Sequence, residues 1–367
     1  MAGAACSSES AGPGWTRVLW HVPGLGWAMP AFDSLRAYFP AEYHEVLAID
    51  KQTGEVAWQV RIPYVATCSF FDTSRTAGFD ATMAGSTVVV VDDGLFGFDA
   101  ATGQHRWTWR PPVGCMAPVS RPESDDQTVY AGASRGSIYA LDAATGATRW
   151  RGQFLPESAA IAYSPVLDNG TIYSEFNIQV ATFPFDSGGV VALDAATGAT
   201  KWIYYFPRTL QTSPPRGRRR IALTPDLVVA PSDDGLVYVL DRVTGGVAWE
   251  VPRIDNRLIG DERKVAASGG FVFVGSNSGL VIAYDADSGT ERWRVSTGGG
   301  VGRLLADGDA VYASISAALV VLDAGTGQLR WRVGAGIGSS TSILSPPAVD
   351  IDRVYAGGTD GFYAFRK

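Results

Sequence analysis

The pattern D-x-x-[TS]-G-x-x-x-W occurs seven times in this chain of 367 residues, from Asp50, Thr53, Gly54 and Trp58 to Asp323, Thr326, Gly327 and Trp331. The intermediate copies end at Trp107, Trp150, Trp202, Trp249 and Trp293. Spacing is constant inside the motif and variable between copies, the mark of a repeated supersecondary unit. Each copy follows an apolar or alternating run such as SIYALD, LVYVLD or LVIAYD and precedes a run carrying the tryptophan, such as ATRWRG or GVAWEV. It therefore predicts two strands joined by a tight turn. In that turn the aspartate accepts backbone N–H bonds and the glycine supplies a positive φ that a residue with a Cβ resists.

Upstream of nearly every copy lies a further strand, among them TVVVVD, QTVYAGA, FVFVGS and RVYAGG. A short inner strand before it completes a four-stranded antiparallel unit, lettered A to D from inside out. An eighth unit is divided between the chain ends: SPPAVDIDRVYAGGTDGFYAFRK supplies A, B and C, and RVLWHVPG around Trp20 supplies D. From Trp20 to Trp331 the eight tryptophans recur about every 44 residues, a blade length for radial repeats. The chain is predicted to be all-β, an eight-bladed β-propeller of four-stranded antiparallel blades closed by an N-terminal strand completing the C-terminal blade. Such closure removes the open sheet edge between first and last units. The boundaries that follow are a flexible leader or tether over residues 1–14 and one propeller domain over 15–367.

Trp20, Trp58, Trp107, Trp150, Trp202, Trp249, Trp293 and Trp331 are assigned to structure. A blade is too thin to bury its own faces, and an indole wedged between neighbours removes about 150–250 Å² from water. The formal net charge of -7 gives no electrostatic ground for a nucleic-acid partner. The short run PRGRRR does not alter that balance. No stretch approaches the roughly 20 apolar residues that span a bilayer.

At these residues a family resemblance emerges. ALDAATGATRW and ALDAATGATKW resemble the tryptophan-docking repeat of the pyrroloquinoline quinone (PQQ) dehydrogenases and their non-catalytic relatives, over nearly the whole chain from about Trp15 to Lys367. The repeat is specific for fold and weakly specific for function. The dehydrogenase branch implies a quinone above the channel, calcium held by carboxylate and amide groups, and a vicinal cysteine pair that this chain lacks. The other branch is that of short propellers of the bacterial envelope, typified by the lipoprotein of the outer-membrane β-barrel assembly machinery, and implies a protein-binding scaffold. Cys6, in MAGAACSSES, resembles the lipidated cysteine of bacterial lipoproteins, although Gly3 stands where that pattern has an apolar residue. The resemblance implies a periplasmic or cell-envelope protein, lipid-anchored at Cys6, whose signal peptide is absent from this sequence. An incidental cysteine in a disordered leader is the other reading.

With A innermost, the D-x-x-T-G turns share one face with the A–B turns, and the other face holds every long insertion. These are the leader-to-blade loop around Trp27, residues 61–80, 203–220 and 251–264, and the excursion EFNIQVATFPFDSGG at 175–189. Binding residues gather on variable loops of rigid scaffolds, so the working surface is expected there. Aligning the inner strands brings Arg220, Lys264 and Arg303 to one position in blades five, six and seven, with Arg216, Arg218, Arg219 and Arg263 beside them. Either they hold a carboxylate-rich ligand or an acidic protein loop, or they form a solvated rim partly paired with Asp80, Asp261 or Asp307. In the excursion, Phe176, Ile178, Val180, Phe183 and Phe185 either dock a partner or fold back and bury.

Cys68 and Cys115 enter the inner strands of adjacent blades, where either a disulfide or two buried thiols fits. His21, His44 and His105 lack metal-ligand spacing, and the pairs Asp92, Asp93 and Asp233, Asp234 read as hairpin turns. The leading expectation is a non-enzymatic envelope scaffold without cofactor, binding another envelope protein or a small anionic ligand and touching a membrane only through a lipid anchor. The alternative is a small dehydrogenase of alcohols or sugars that uses Arg220, Lys264 and Arg303 to hold the carboxylates of PQQ, with calcium.

Overall fold

Each D-x-x-[TS]-G turn is closed by its own residues. In the computed structural model Asp50 Oδ1 accepts N–H bonds from Gln52 and Thr53 at 2.9 and 2.8 Å, and Gly54 N donates to the Asp50 carbonyl at 2.9 Å. Gly54 has a φ of +77°, as the motif requires. The structure describes residues 17–24, 29–41, 44–63, 80–92, 94–111, 121–155, 160–178, 187–207, 220–232, 234–252, 254, 264–315, 318–334, 345 and 347–367.

These turns join the outer two strands of seven of the eight antiparallel sheets. Blade 1 runs from Ala31–Phe32 through Arg36–Ala41 and Glu45–Asp50 to Val56–Arg61, and blade 2 from Ala81–Ala84 to His105–Trp109. Blade 3 begins at Glu123–Ser124 and ends at Thr148–Gln153, and blade 5 runs from Ala222–Leu223 to Val247–Val251. Blade 6 runs from Val265–Ser268 to Glu291–Ser296, and blade 7 from Val301–Asp307 to Leu329–Gly334. Blade 8 takes Ala348–Val349, Arg353–Gly357 and Gly361–Arg366 from the C-terminus and Val18–Pro23 from the N-terminus, with Trp20 paired to Ala364. The eight-bladed architecture and its shared last blade are as the repeats predict.

Blade 4 departs from the pattern. Its inner strand is split into Ala160–Ala162 and Val166–Asp168, both pairing with an eight-residue second strand, Thr171–Ile178. The third strand, Ser187–Asp194, is also eight residues long, so 175–178 and 187–189 of the expected excursion are ladder, and 179–186 lie outside the described residues. Phe176 is fully buried, with Phe154 and Tyr205 rings at 5.4 and 5.7 Å, and Ile178 is half-buried. Phe176 is therefore a core residue, and its part of the proposed docking segment is corrected. Ladder bonds on both sides continue the strand pair beyond the blade's usual length, which a single-sequence pattern of mixed polar and apolar residues did not reveal.

Hydrophobic clusters lie between blades rather than within them. Eight such clusters join the eight neighbouring pairs, including blade 8 to blade 1 through Trp20, Phe39 and Phe362. The motif tryptophans bridge the same seams: Trp58 Nε1 donates to Ala100 O of the next blade at 3.0 Å, Trp150 Nε1 to Ala195 O at 3.1 Å, and Trp20 Nε1 to Lys51 O at 2.9 Å. Each indole thus buries its body and satisfies its one donor across a seam. A recurring bond, such as Lys51 N to Leu35 O at 2.9 Å and Ala143 N to Gln127 O at 2.9 Å, ties each C–D turn to the A–B turn of its own blade. Those turns accordingly share one face.

Candidate functional site

The two faces differ in the length of what leaves them. All A–B turns contain two or three residues and the C–D turns five, whereas the D–A connections on the other face contain 13 to 19 residues after blades 1, 2, 4, 5 and 7 and four to seven after blades 3, 6 and 8. The long connections therefore all leave from one face. The candidate residues Trp27, Arg219, Phe183 and Phe185, the cysteines Cys68 and Cys115, and Cys6 with the tether 1–14 all lie outside the described residues.

Strand register places the three expected cations at one level. Ala222 pairs with Val229, Ala266 with Phe273 and Leu305 with Tyr312, and Arg220, Lys264 and Arg303 each stand two residues earlier. The same level holds Met29 in blade 1, Asp80 in blade 2, Arg121 in blade 3 and Ser164 in blade 4. Asp80, expected as a pairing partner of the rim, stands in this layer, and Arg121 joins it without having been singled out in the sequence.

The cations are not equivalent. Arg220 Nη2 lies 3.1 Å from Glu123 Oε2, an ion pair that passes from blade 5 over blade 4 to blade 3. Lys264 is only 2% exposed and donates to Asn277 Oδ1 in the B–C turn of its own blade. Arg303 is half-buried opposite Ser314. Arg121 Nη1 reaches Met29 Sδ at 2.7 Å, and Asp80 Oδ1 accepts from Met29 N at 2.8 Å. The expected pairing partners are corrected accordingly: Arg220 takes Glu123, and Asp307 takes Lys367. Asp261 lies outside the described residues. Ser164 Oγ is buried without a hydrogen-bond partner.

Below this layer the channel contains a cavity of about 330 Å³. Its walls combine apolar side chains, Ile221, Leu223, Val265 and Leu304 among them, with polar atoms; among the described residues Arg220 is its one cation, and Asp168 stands at the turn-face level. At that level stand Asp33, Asp125, Asp168, Asp307 and Asp350, each five residues before a tyrosine of the next strand. Tyr38, Tyr130 and Tyr355 donate to Asp33, Asp125 and Asp350 at 2.6, 3.2 and 2.9 Å. Burial, and then the charge of Asp307, pushes the Tyr312 hydroxyl up to about 12. In blade 4 Arg242 takes Asp168 and also reaches Tyr173 Oη at 3.3 Å. The spacing D-x-x-x-x-Y is visible six times in the sequence, at these five pairs and from Asp233 to Tyr238, and would have pointed to this layer. The channel is thus cationic towards its loop-rich mouth and carboxylate-rich towards the turn face.

The histidines are dispersed, as their spacing implied. His44 Nδ1 lies 2.5 Å from Asp92 Oδ2, a buried pair across blades 1 and 2. His21 stacks on Tyr363 at 4.3 Å, and His105 bonds Thr108 Oγ1 at 2.9 Å. Asp92 N bonds Gly94 O at 2.9 Å and Asp234 accepts from Tyr238 at 2.6 Å, so both carboxylates belong to hairpins.

A propeller of tryptophan-docked blades with a polarised central channel is the class that fold and site define. The chain matches the family model described as outer membrane protein assembly factor BamB over residues 9–174, 118–261 and 233–365, and it belongs to that family. Among curated proteins it is 29% identical over 143 residues to the serine/threonine-protein kinase AfsK of Streptomyces griseus, covering 36% of this chain and 15% of the kinase. It is 28% identical over 158 residues to the quinohemoprotein alcohol dehydrogenase ADH IIB of Pseudomonas putida, covering 39% of this chain and 21% of the enzyme. The chain therefore spans only a minor part of either relative. Of solved structures, BamB from Moraxella catarrhalis superposes with a TM-score of 0.58 at 21% identity, over 79% of this chain and 80% of that one. The quinohemoprotein alcohol dehydrogenase of Comamonas testosteroni superposes with a TM-score of 0.69 at 17% identity, over 95% and 75%. At these identities the structural likenesses establish the fold.

The dehydrogenase relatives make PQQ with calcium the cofactor to test against the residues present. Of the three cations assigned to its carboxylates, only Arg220 lines the cavity, while Lys264 is buried against Asn277. Among the described residues no three of His, Cys, Asp and Glu stand together to hold a metal ion. The described residues do not fit this pair of groups.

Proposed function

We propose that this protein is a non-enzymatic binding scaffold of the bacterial envelope, holding another envelope protein across its loop-rich face, with Cys6 as its lipid anchor. The observation that carries this reading is the asymmetry of the connections: turns of two to five residues on one face, and five connections of 13 to 19 residues on the other. A rigid ring presenting long segments on one side is built to be contacted there. Family membership supports the envelope setting, and the commitment of Lys264 to Asn277 weakens the case for a cationic quinone clamp.

The test is photocrosslinking in intact cells, with a photoreactive residue at Trp27, Phe183, Phe185 or Arg219, which the sequence assigns to the loop-rich face, or at Val243 or Ile351 on the turn face. Val243 and Ile351 are 84% and 92% exposed, so the control positions are reachable. The scaffold reading expects a discrete envelope-protein adduct from the loop positions alone. Equal adducts from both faces, or none from the loops, would contradict it.

The likeness to two quinohemoprotein alcohol dehydrogenases favours a second reading, a small quinone-dependent dehydrogenase. It predicts turnover that a scaffold does not have.

A further inference from the structure

We infer that the channel cavity is a binding site for a small monocarboxylic acid with an apolar body, its carboxylate on Arg220 and its body among the inner strands of blades 4 to 7. The site is distinct from the loops proposed above to capture a partner, and it stands or falls separately.

Size comes first. A cavity of about 330 Å³ holds roughly eleven water-sized groups, and it lies at the lower end of ligand-pocket volumes. Val166, Ile221, Leu223, Val265, Leu304 and Leu305 give the lining an apolar part on which an aliphatic body can rest, beside the polar atoms that Arg220, Asp168 and the strand backbones contribute. Eight heavy atoms, as in hexanoate, fit that space.

Charge selects the head group. Arg220 spends one of its five N–H groups on Glu123, through a single Nη2 to Oε2 contact. The rest of its fork is available to a second carboxylate on the channel side, in the planar geometry that guanidinium favours. Ser164, at the same level in the blade between Arg220 and Glu123, has a buried hydroxyl without a partner, a further donor in this layer. One cation on the cavity wall matches one carboxylate, not the several of a polyacid.

The experiment is isothermal titration of the full chain with hexanoate, hexanol and hexylamine, repeated on R220M and A267F. Ala267 lines the cavity and is half-buried, so a phenyl ring there fills the space while leaving the mouth intact. Saturable hexanoate binding is expected, at least tenfold weaker for hexanol and for hexylamine, at least tenfold weaker in R220M and lost in A267F. Circular dichroism and thermal unfolding establish that the variants are folded. If R220M does not fold, the comparison of hexanoate with hexanol on the unaltered protein decides. No saturable heat up to 10 mM hexanoate, on the order of the weakest affinity such a site would use, overturns the inference. So does equal binding of hexanol, or unchanged binding in folded R220M or A267F. Partner crosslinking from the loops is unaffected by either variant, so failure here and failure of the scaffold reading are told apart.

Discussion

The indole of Trp107 occupies the space into which a side chain on Gly146 of the next blade would grow. A Cβ at Gly146 would stand 2.7 Å from the ring, and Trp107 Nε1 donates to Ala143 O at 3.0 Å in the same turn. The glycine of the motif is thus required twice, by its φ of +70° and by the ring pressed against it. Gly170 has the same φ of +70° and nothing within 4 Å of its would-be Cβ, which separates the two requirements. We predict that G170A costs about 1–2 kcal/mol, from left-handed backbone strain alone. G146A adds overpacking of about 1–3 kcal/mol, for a total of roughly 2–5 kcal/mol in urea unfolding. Equal losses would show that the indole contributes nothing to this constraint.

Closure of the ring rests on Trp20, which is 8% exposed and packs with Phe39 and Phe362 across the seam between blades 8 and 1. W20A is expected to lower stability by about 3–5 kcal/mol, as for other buried large-to-small changes. Protease cleavage near Val18–Pro23 should appear well below the unfolding midpoint, because that strand pairs the start of the chain with the last blade. Resistance equal to that of the unaltered protein would argue against closure through this strand.

The same seam contains an ion pair. Lys51 Nζ lies 2.5 Å from Asp350 Oδ2, with both side chains largely buried. Burial alone would push the Asp350 carboxyl up, but hydrogen bonds from Lys51 and Tyr355 and the Lys51 charge together hold it below the usual carboxylate range. K51M leaves that carboxylate without its cation and should cost about 3–5 kcal/mol at neutral pH. A depressed carboxyl contributes stability above its unfolded pKa and loses it as pH falls through its folded pKa. The penalty of K51M should therefore shrink towards low pH, as chemical denaturation at a series of pH values will show.

Acid sensitivity of the outer turns follows from Asp142. A hydrogen bond from Arg149, followed by those from Thr145, holds its carboxyl at about 2. Its unfolded value is about 3.9, so its contribution is complete above about pH 4 and disappears as pH falls through about 2. Side-chain carboxyl NMR should find the Asp142 midpoint low in the native protein and moved upward in R149M. An unchanged midpoint would assign the shift to the turn's own donors.

Much of this molecule is legible in its sequence because repetition multiplies weak signals. One D-x-x-T-G-x-x-x-W is an ordinary hairpin, whereas seven copies with a detached Trp20 imply a ring and its closure. The layer around the channel was legible only in part. Arg220, Lys264 and Arg303 align because their second strands are strongly patterned, yet Glu123, the partner of Arg220, sits on a two-residue strand whose register no pattern displays. Phe176 was ambiguous for a related reason: with strands continuing on both sides, a run of mixed residues is ladder, and without them it is loop. The tyrosine and aspartate layer was written in the spacing of Asp33 to Tyr38 and Asp350 to Tyr355. Its meaning depends on the turn between them bringing hydroxyl and carboxylate together.

A scaffold and a quinone enzyme differ most plainly in turnover. The full chain, incubated with PQQ and calcium, can be followed by absorbance and by dye reduction over a panel of alcohols and sugars. The scaffold account predicts no dye reduction above the protein-free mixture for any substrate, because among the described residues Arg220 is the one cation on the cavity wall and Lys264 is held by Asn277. Substrate-dependent reduction that saturates with quinone would contradict it.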